Sequence, residues 1–187
     1  DLTGVDADLD TVGGARTWPG VTGTARVGST LKATAGAWPT GTKLTYRWYA
    51  SGKPISGATK STFTPTATQL NKTLTVKVTG SRSGYTTVSK TSKATAKVKA
   101  GTLTSTPTPK ISGTTKVGRT LTAKAGAWKP SGGKVTYQWY RGSSRISKAT
   151  ESTYKLVSAD KGRTIKVKVT YKKSGYTTVS RTSKATA

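Results

Sequence analysis

The side chains of this 187-residue chain that can do chemistry are one-sided in type: 32 Lys and Arg, 6 Asp and Glu, and no His or Cys. Imidazole general bases, thiolate nucleophiles and zinc or iron–sulfur ligation of the usual kinds are excluded at once. Four of the six acids lie in the first ten residues, which leaves Glu151 and Asp160 for the rest of the chain. Lys60 and Gln69 stand at the equivalent places of an internal repeat, so Glu151 and Asp160 read as turn chemistry and not as a catalytic pair. Asp6, Asp8 and Asp10 alternate as in the start of a calcium loop, without its glycine or its distal acid. No phosphate-binding or nucleophile-elbow glycine motif occurs. The expectation is no enzyme activity, no cofactor and no metal.

What remains is charge and aromatic surface. The formal net charge is +26, carried beside 5 Trp and 8 Tyr. A period of two places Arg47, Tyr49 and Lys77 on one outward face, and Tyr140, Lys166 and Lys168 on the matching face of the second repeat. Each triple is a basic, aromatic-bearing surface whose strands carry no carboxylate. A solvated face kept charged for solubility is one reading, and a surface that attracts polyanions is the other. The excess, near fifteen charges per repeat, exceeds the net charge of about 2–8 at which small domains are already soluble. Trp38 and Trp128 end their strand patterns, where they either cap the open end of a sandwich or present an aromatic platform. Trp48 and Trp139 have inward parity and belong to cores.

The elements that position these residues are written twice. Val27-Gly28 recurs as Val117-Gly118 and Ala35–Trp38 as Ala125–Trp128, an offset of 90 that becomes 91 after one insertion. Residues 83–96 then match 174–187 at all positions but one, Lys90 against Arg181. The reading is an acidic tail or domain remnant at 1–16, one repeat at 17–96, a linker at 97–106 and a second repeat at 107–187. Within each repeat Leu31, Ala33 and Ala35, then Leu44, Tyr46, Trp48 and Ala50, then Leu74, Val76 and Val78 alternate with Thr, Lys or Arg. Leu, Ile, Val and Phe are scarce enough for disorder, but strict alternation and large aromatic side chains argue for a lean folded chain. The fold class is all-β: two tandem β-sandwiches of about seven short strands each, with no disulfide. No apolar run approaches the roughly 18 residues of a membrane span.

A mid-strand Trp in Thr45–Gly52 and Thr136–Ser143, followed by Ile55 or Ile146, resembles strands C and C′ of immunoglobulin-like domains. Residues 156–169 resemble the corner before strand F. The whole pattern, over nearly all of 17–187, is similar to the Ig-like repeats of secreted actinobacterial surface proteins, with a fibronectin III-like sandwich as the alternative topology. The cysteines of the immunoglobulin disulfide are absent, and Thr73 and Thr164 stand near the place of the corner Tyr. The resemblance implies a secreted, cell-wall-associated accessory module and supplies no ligand. Together with the charge it leads to an expected partner: an anionic cell-envelope polymer of the peptidoglycan or teichoic-acid type. A structural spacer behind a catalytic or adhesive domain is one alternative. Non-specific extracellular nucleic-acid binding is another, since no element suits a DNA groove. The chain is expected to be a monomer without membrane insertion.

Overall fold

A computed structural model describes residues 18–186. The acidic stretch 1–16, with its calcium-like spacing, lies outside the described residues. The chain divides into two units, Asp1–Gly101 and Thr102–Ala187.

In unit one the alternation read from the sequence becomes seven strands: β1 (Gly20–Thr22), β2 (Leu31–Thr34), β3 (Lys43–Ala50), β4 (Lys53–Pro54), β5 (Thr62–Phe63), β6 (Leu74–Ser81) and β7 (Val88–Thr91). They form two antiparallel sheets, ordered β1-β2-β5 and β4-β3-β6-β7. Ser51 and Gly52, both at positive φ, make the two-residue turn that returns β3 as β4. Leu31, Trp48, Leu74, Val76 and Val78 are fully buried between the sheets. The Trp48 ring stacks on Phe63 at 5.7 Å, and its Nε1–H donates to Lys60 O at 2.9 Å, so the buried indole has its one donor satisfied.

Unit two repeats the plan. Its strands are β8 (Lys110–Ser112), β9 (Thr120–Lys124), β10 (Lys134–Arg141), β11 (Ser144–Arg145), β12 (Thr153–Lys155), β13 (Ile165–Lys172) and β14 (Val179–Thr182). The sheets run β12-β9-β8 and β11-β10-β13-β14. Trp139 is fully buried with Leu121, Ile165, Val167 and Leu156, and donates through Nε1–H to Glu151 O at 2.9 Å. The all-β, two-sandwich fold is therefore present as expected. Its three-plus-four strand order, with the short β4 and β11 beside the central Trp strand, differs from the four-plus-three order of constant-type immunoglobulin domains.

The stretch 97–106, expected to be a linker, is instead shared between the units. Val98 is fully buried in unit one, with its N–H donating to Lys72 O and its carbonyl accepting from Asn71 N–H, both at 2.9 Å. Lys99 bridges in parallel to Arg26. On the other side of Gly101, Ser105 bridges to Lys129 and Thr106 accepts two hydrogen bonds from Arg181. A solvated linker has no reason to bury a valine, whereas a strand edge closing a core does. Val98→Ala is accordingly expected to destabilise unit one by about 2 kcal/mol. Chemical denaturation, followed by resonances of each unit, would show the first transition moving and the second unmoved.

Candidate functional site

The outer faces of the two four-stranded sheets carry the residues singled out from sequence. In unit one, Arg47 on β3 lies directly across from Lys77 on β6, and Lys77 is across from Thr91 on β7. Tyr49 is two residues along β3, paired with Thr75. Most other outward positions are Thr or Ser: Thr45, Thr79 and Ser89 share one row, with Thr79 Oγ1 and Ser89 Oγ 2.7 Å apart. The predicted triple is thus one patch on a hydroxyl-rich sheet.

Unit two is more heavily charged at the same place. Tyr140 pairs with Lys166 on β13 and with Arg145 on β11, and Lys168 lies between Gln138 and Thr182. Lys134 faces Lys172 at the far end of the same pair of strands. Lys166, Lys168 and Lys172 therefore project from one strand, with Lys166 and Lys168 about 7 Å apart along it. Gln138, which replaces Arg47, accepts from Arg145 Nε at 2.6 Å and donates to Ile146 O at 2.8 Å. These contacts orient the Arg145 guanidinium beside Tyr140. The outward-parity rule that found Lys166 and Lys168 also covers Lys134 and Lys172. Arg145 was missed because only the β10–β11 register reveals it.

The face of unit two is not free of acid: Glu151 borders the same open groove, of about 680 Å³, that Lys134, Tyr140, Arg145 and Lys168 line. Nor is the charge confined to that face. Lys110, Lys124 and Lys155 sit on the opposite, three-stranded sheet, where Lys110 and Lys124 are direct cross-strand partners.

Trp128 is not a platform. It is 5% exposed, stacks on Tyr171 at 5.3 Å with 14° between the rings, and donates to Ala125 O, so it closes one end of the sandwich. The Tyr171 hydroxyl ties that end together, donating to Pro130 O and accepting from Gly133 N–H. In unit one Gly80 takes the place of Tyr171, and the half-buried Trp38 fills the space directly over it. The Lys90 ammonium lies 5.2 Å from the Trp38 ring and 5.8 Å from that of Trp18. Trp18 is 59% exposed and is the one tryptophan that sequence reasoning passed over. A Cβ on Gly80 would overlap the Trp38 ring. Gly80→Ala is expected to cost about 1–3 kcal/mol and to change the Trp fluorescence of the folded chain, with unaltered emission and stability counting against this packing.

Asp160 is placed by a short 3-10 turn, Ser158–Asp160, ahead of β13. Its carboxylate accepts from Arg141 Nε at 2.6 Å, Tyr154 Oη at 2.9 Å and Val157 N–H at 2.8 Å. Burial alone would raise its pKa, but these three donors together hold it below the ordinary carboxylate value. Burial and the neighbouring carboxylate push the Tyr154 phenol up. Unit one replaces the whole set at once: Ala50, Gln69 and Phe63 stand where Arg141, Asp160 and Tyr154 do. There Gln69 Oε1 accepts from Thr66 N–H and Thr66 Oγ1, each at 2.9 Å. A structural clasp that exists in neutral and charged versions is what the expected turn chemistry amounts to.

No protein-family model matches the chain, and no curated protein matches it. Among solved structures it is similar to three N-terminal domains of the highly immunogenic outer capsid protein of bacteriophage RB49, at 20% identity and a TM-score of 0.36, over 88% of this chain and 58% of that one. It is similar to a Ca2+-stabilised, ice-binding adhesin of an Antarctic bacterium, at 15% identity and a TM-score of 0.39, over 92% of this chain and 49% of that one. Tandem Ig repeats of Dlar match at 15% identity and a TM-score of 0.27, over 92% and 94% of the two chains. The chain thus spans about half the length of the first two. Among the described residues no helix is long and apolar enough to cross a membrane.

Proposed function

We propose that this chain is a non-catalytic accessory region of a secreted bacterial protein, held electrostatically to anionic cell-envelope polymers. The face formed by β11-β10-β13-β14 is the main contact surface. The supporting observation is the cation row Lys166, Lys168 and Lys172 with Lys134 and Arg145 on the flanking strands. Arg47 opposite Lys77, and Lys134 opposite Lys172, are like charges in direct cross-strand pairs, an arrangement that costs stability. A sheet shaped for stability alone would alternate signs there, and an anionic ligand relieves the repulsion. An extended polymer with an anionic group about every 7 Å would run along β13 in register with Lys166 and Lys168. Tyr49 and Tyr140 offer ring faces beside the cations for sugar contact.

The competing reading is a spacer that projects another domain, with incidental charge. It is favoured by the lysines on the three-stranded sheet, which make the surplus less directional. Elution from purified wall sacculi over a salt gradient separates the two. Tethering predicts retention at low salt that is lost by about 0.5 M, where screening acts within a few ångströms. No retention at any salt supports the spacer and overturns the proposal. Replacing Arg47, Lys77, Lys166 and Lys168 together by Gln is expected to bring elution to markedly lower salt. Soluble teichoic acid should displace the chain more effectively than DNA, and the reverse order would favour nucleic-acid binding.

A further inference from the structure

The central Trp strand of unit one has an open backbone edge. Trp48 N–H donates to Ala58 O at 3.0 Å and its carbonyl accepts from Ile55 N–H at 2.9 Å, so Trp48 directs both groups away from β6. Residues two apart on a strand share that direction, and the β3–β6 register is unbroken from Lys43 to Ala50. Leu44 and Tyr46 therefore present their N–H and C=O groups to the same edge. There β4 pairs only with Tyr49 and Ala50, and Leu44 and Tyr46 have no backbone partner on that side among the described residues. Lys43, Thr45 and Arg47 point outward along this edge, and the half-buried Leu44 and Tyr46 point inward. Lys60 stands at the place of Glu151, which lines the groove along the same edge of unit two, and residues 18–101 contain no acid at all.

Residues 5–10, outside the described residues, read Val-Asp-Ala-Asp-Leu-Asp, an alternation of aliphatic and acid found nowhere else in the chain. We propose that this segment adds to the β3 edge of its own unit as a short strand in line with β4. Its period of two sets Asp6, Asp8 and Asp10 about 7 Å apart on the outward side, across from Lys43, Thr45 and Arg47. Val5, Ala7 and Leu9 then lie on the inward side beside Leu44 and Tyr46, and the free backbone groups of the edge gain partners. Opposite charges across a strand pair stabilise it.

Position favours the chain's own segment over a second copy. The described chain starts at Trp18, whose ring is 5.8 Å from the Lys90 ammonium. Lys90 on β7 pairs with Val78 on β6, and Val78 pairs with Tyr46. The added strand thus lies three interstrand steps from β7, about 14 Å. Residues 11–17 can extend over about 25 Å, enough to cover that distance. A segment on a short tether is present at an effective concentration of about millimolar, whereas two copies of charge +26 repel each other. The inference needs only this edge and not the polymer, so either proposal can fail without the other.

The test compares the full chain with a variant carrying Asp6→Ala, Ala7→Leu and Leu9→Asp. The variant keeps composition and charge but reads Val-Ala-Leu-Asp-Asp-Asp, without the alternation. Amide hydrogen exchange is followed by NMR at Leu44 and Tyr46, and at Val135 and Tyr137 on the matching edge of unit two. At Leu44 and Tyr46 the parent chain should exchange about tenfold more slowly than the variant, whatever the protein concentration. At Val135 and Tyr137, where Glu151 replaces Lys60, the two chains should exchange alike. Equal exchange at Leu44 and Tyr46 in both chains would overturn the proposal, because an added strand requires alternation and not charge alone. Slowing that grows with protein concentration would make the occupant a second copy, and would overturn the assignment to the chain's own segment. Retention on wall polymer together with equal exchange would leave the polyanion reading standing and remove only this strand.

Discussion

Replacing Trp139 by Ala is expected to remove about 3–5 kcal/mol from unit two and to lower its unfolding transition steeply, while unit one keeps its own transition. The size of the effect follows from how little else the core contains. Trp139 is fully buried, packs against Tyr154 at 5.7 Å, and joins both sheets through contacts with Leu121, Leu156 and Val167. Its indole N–H also anchors the segment before β12 through Glu151 O. A small sandwich is left with only about 5–15 kcal/mol of stability in total, so the loss is a large share of it. Differential scanning calorimetry should show one of two transitions vanish or fall steeply. A shift of only a degree or two would mean that the aromatic centre is not what holds the lobe together.

The second large effect is expected at Asp160. Asp160→Ala strands the Val157 N–H and the Tyr154 hydroxyl, and separates Arg141 from its counter-charge, for a loss of about 3 kcal/mol in unit two. The pH dependence has a definite sign. The folded-state pKa lies below the ordinary carboxylate value, so the ionised group contributes its full stabilisation above that value. The contribution is lost as pH falls below about 4 and through the depressed folded value. Unit two should therefore lose stability in acid over a range in which unit one, with Gln69 at the same place, does not lose it from this source. Asp160→Asn should flatten the difference. Denaturation midpoints for both units measured between pH 7 and pH 2 would check it, and identical acid profiles would contradict it.

Most of the fold could be read from the chain because a sheet residue's direction depends only on parity. Leu44, Tyr46 and Trp48 point inward and Thr45, Arg47 and Tyr49 outward whatever their partners are. The outward site residues followed from the same rule, and each triple does share a face. What parity cannot give is register and sequence-distant pairing. Lys90 has inward parity in β7 and is 7% exposed, and its pairing with Val78 and the two nearby tryptophans are features that parity alone does not give. Arg181, the one difference across 14 matched residues, stays at the surface and holds Thr106 instead. Val98 escaped because the matched stretches run only to Ala96 and Ala187, so self-comparison said nothing about Lys97–Lys99. Trp38 and Trp128 looked alike in sequence and differ because Gly80 and Tyr171 beneath them differ.

The proposed polyanion face has a direct test in two variants of equal charge. One replaces Lys166, Lys168 and Lys172 by Gln on the four-stranded sheet; the other replaces Lys110, Lys124 and Lys155 by Gln on the opposite sheet. The sheets of a sandwich are about 10 Å apart, and their outward side chains diverge further. At physiological salt, where screening acts over about 8 Å, a polymer on one face is nearly blind to the other. Retention on immobilised teichoic acid should fall steeply for the first variant, with the slope of log affinity against log salt reduced by about 0.7 for each lysine–anion pair removed. The second variant should stay close to the parent chain. Equal losses in both would mean that undirected charge, and not this face, holds the polymer.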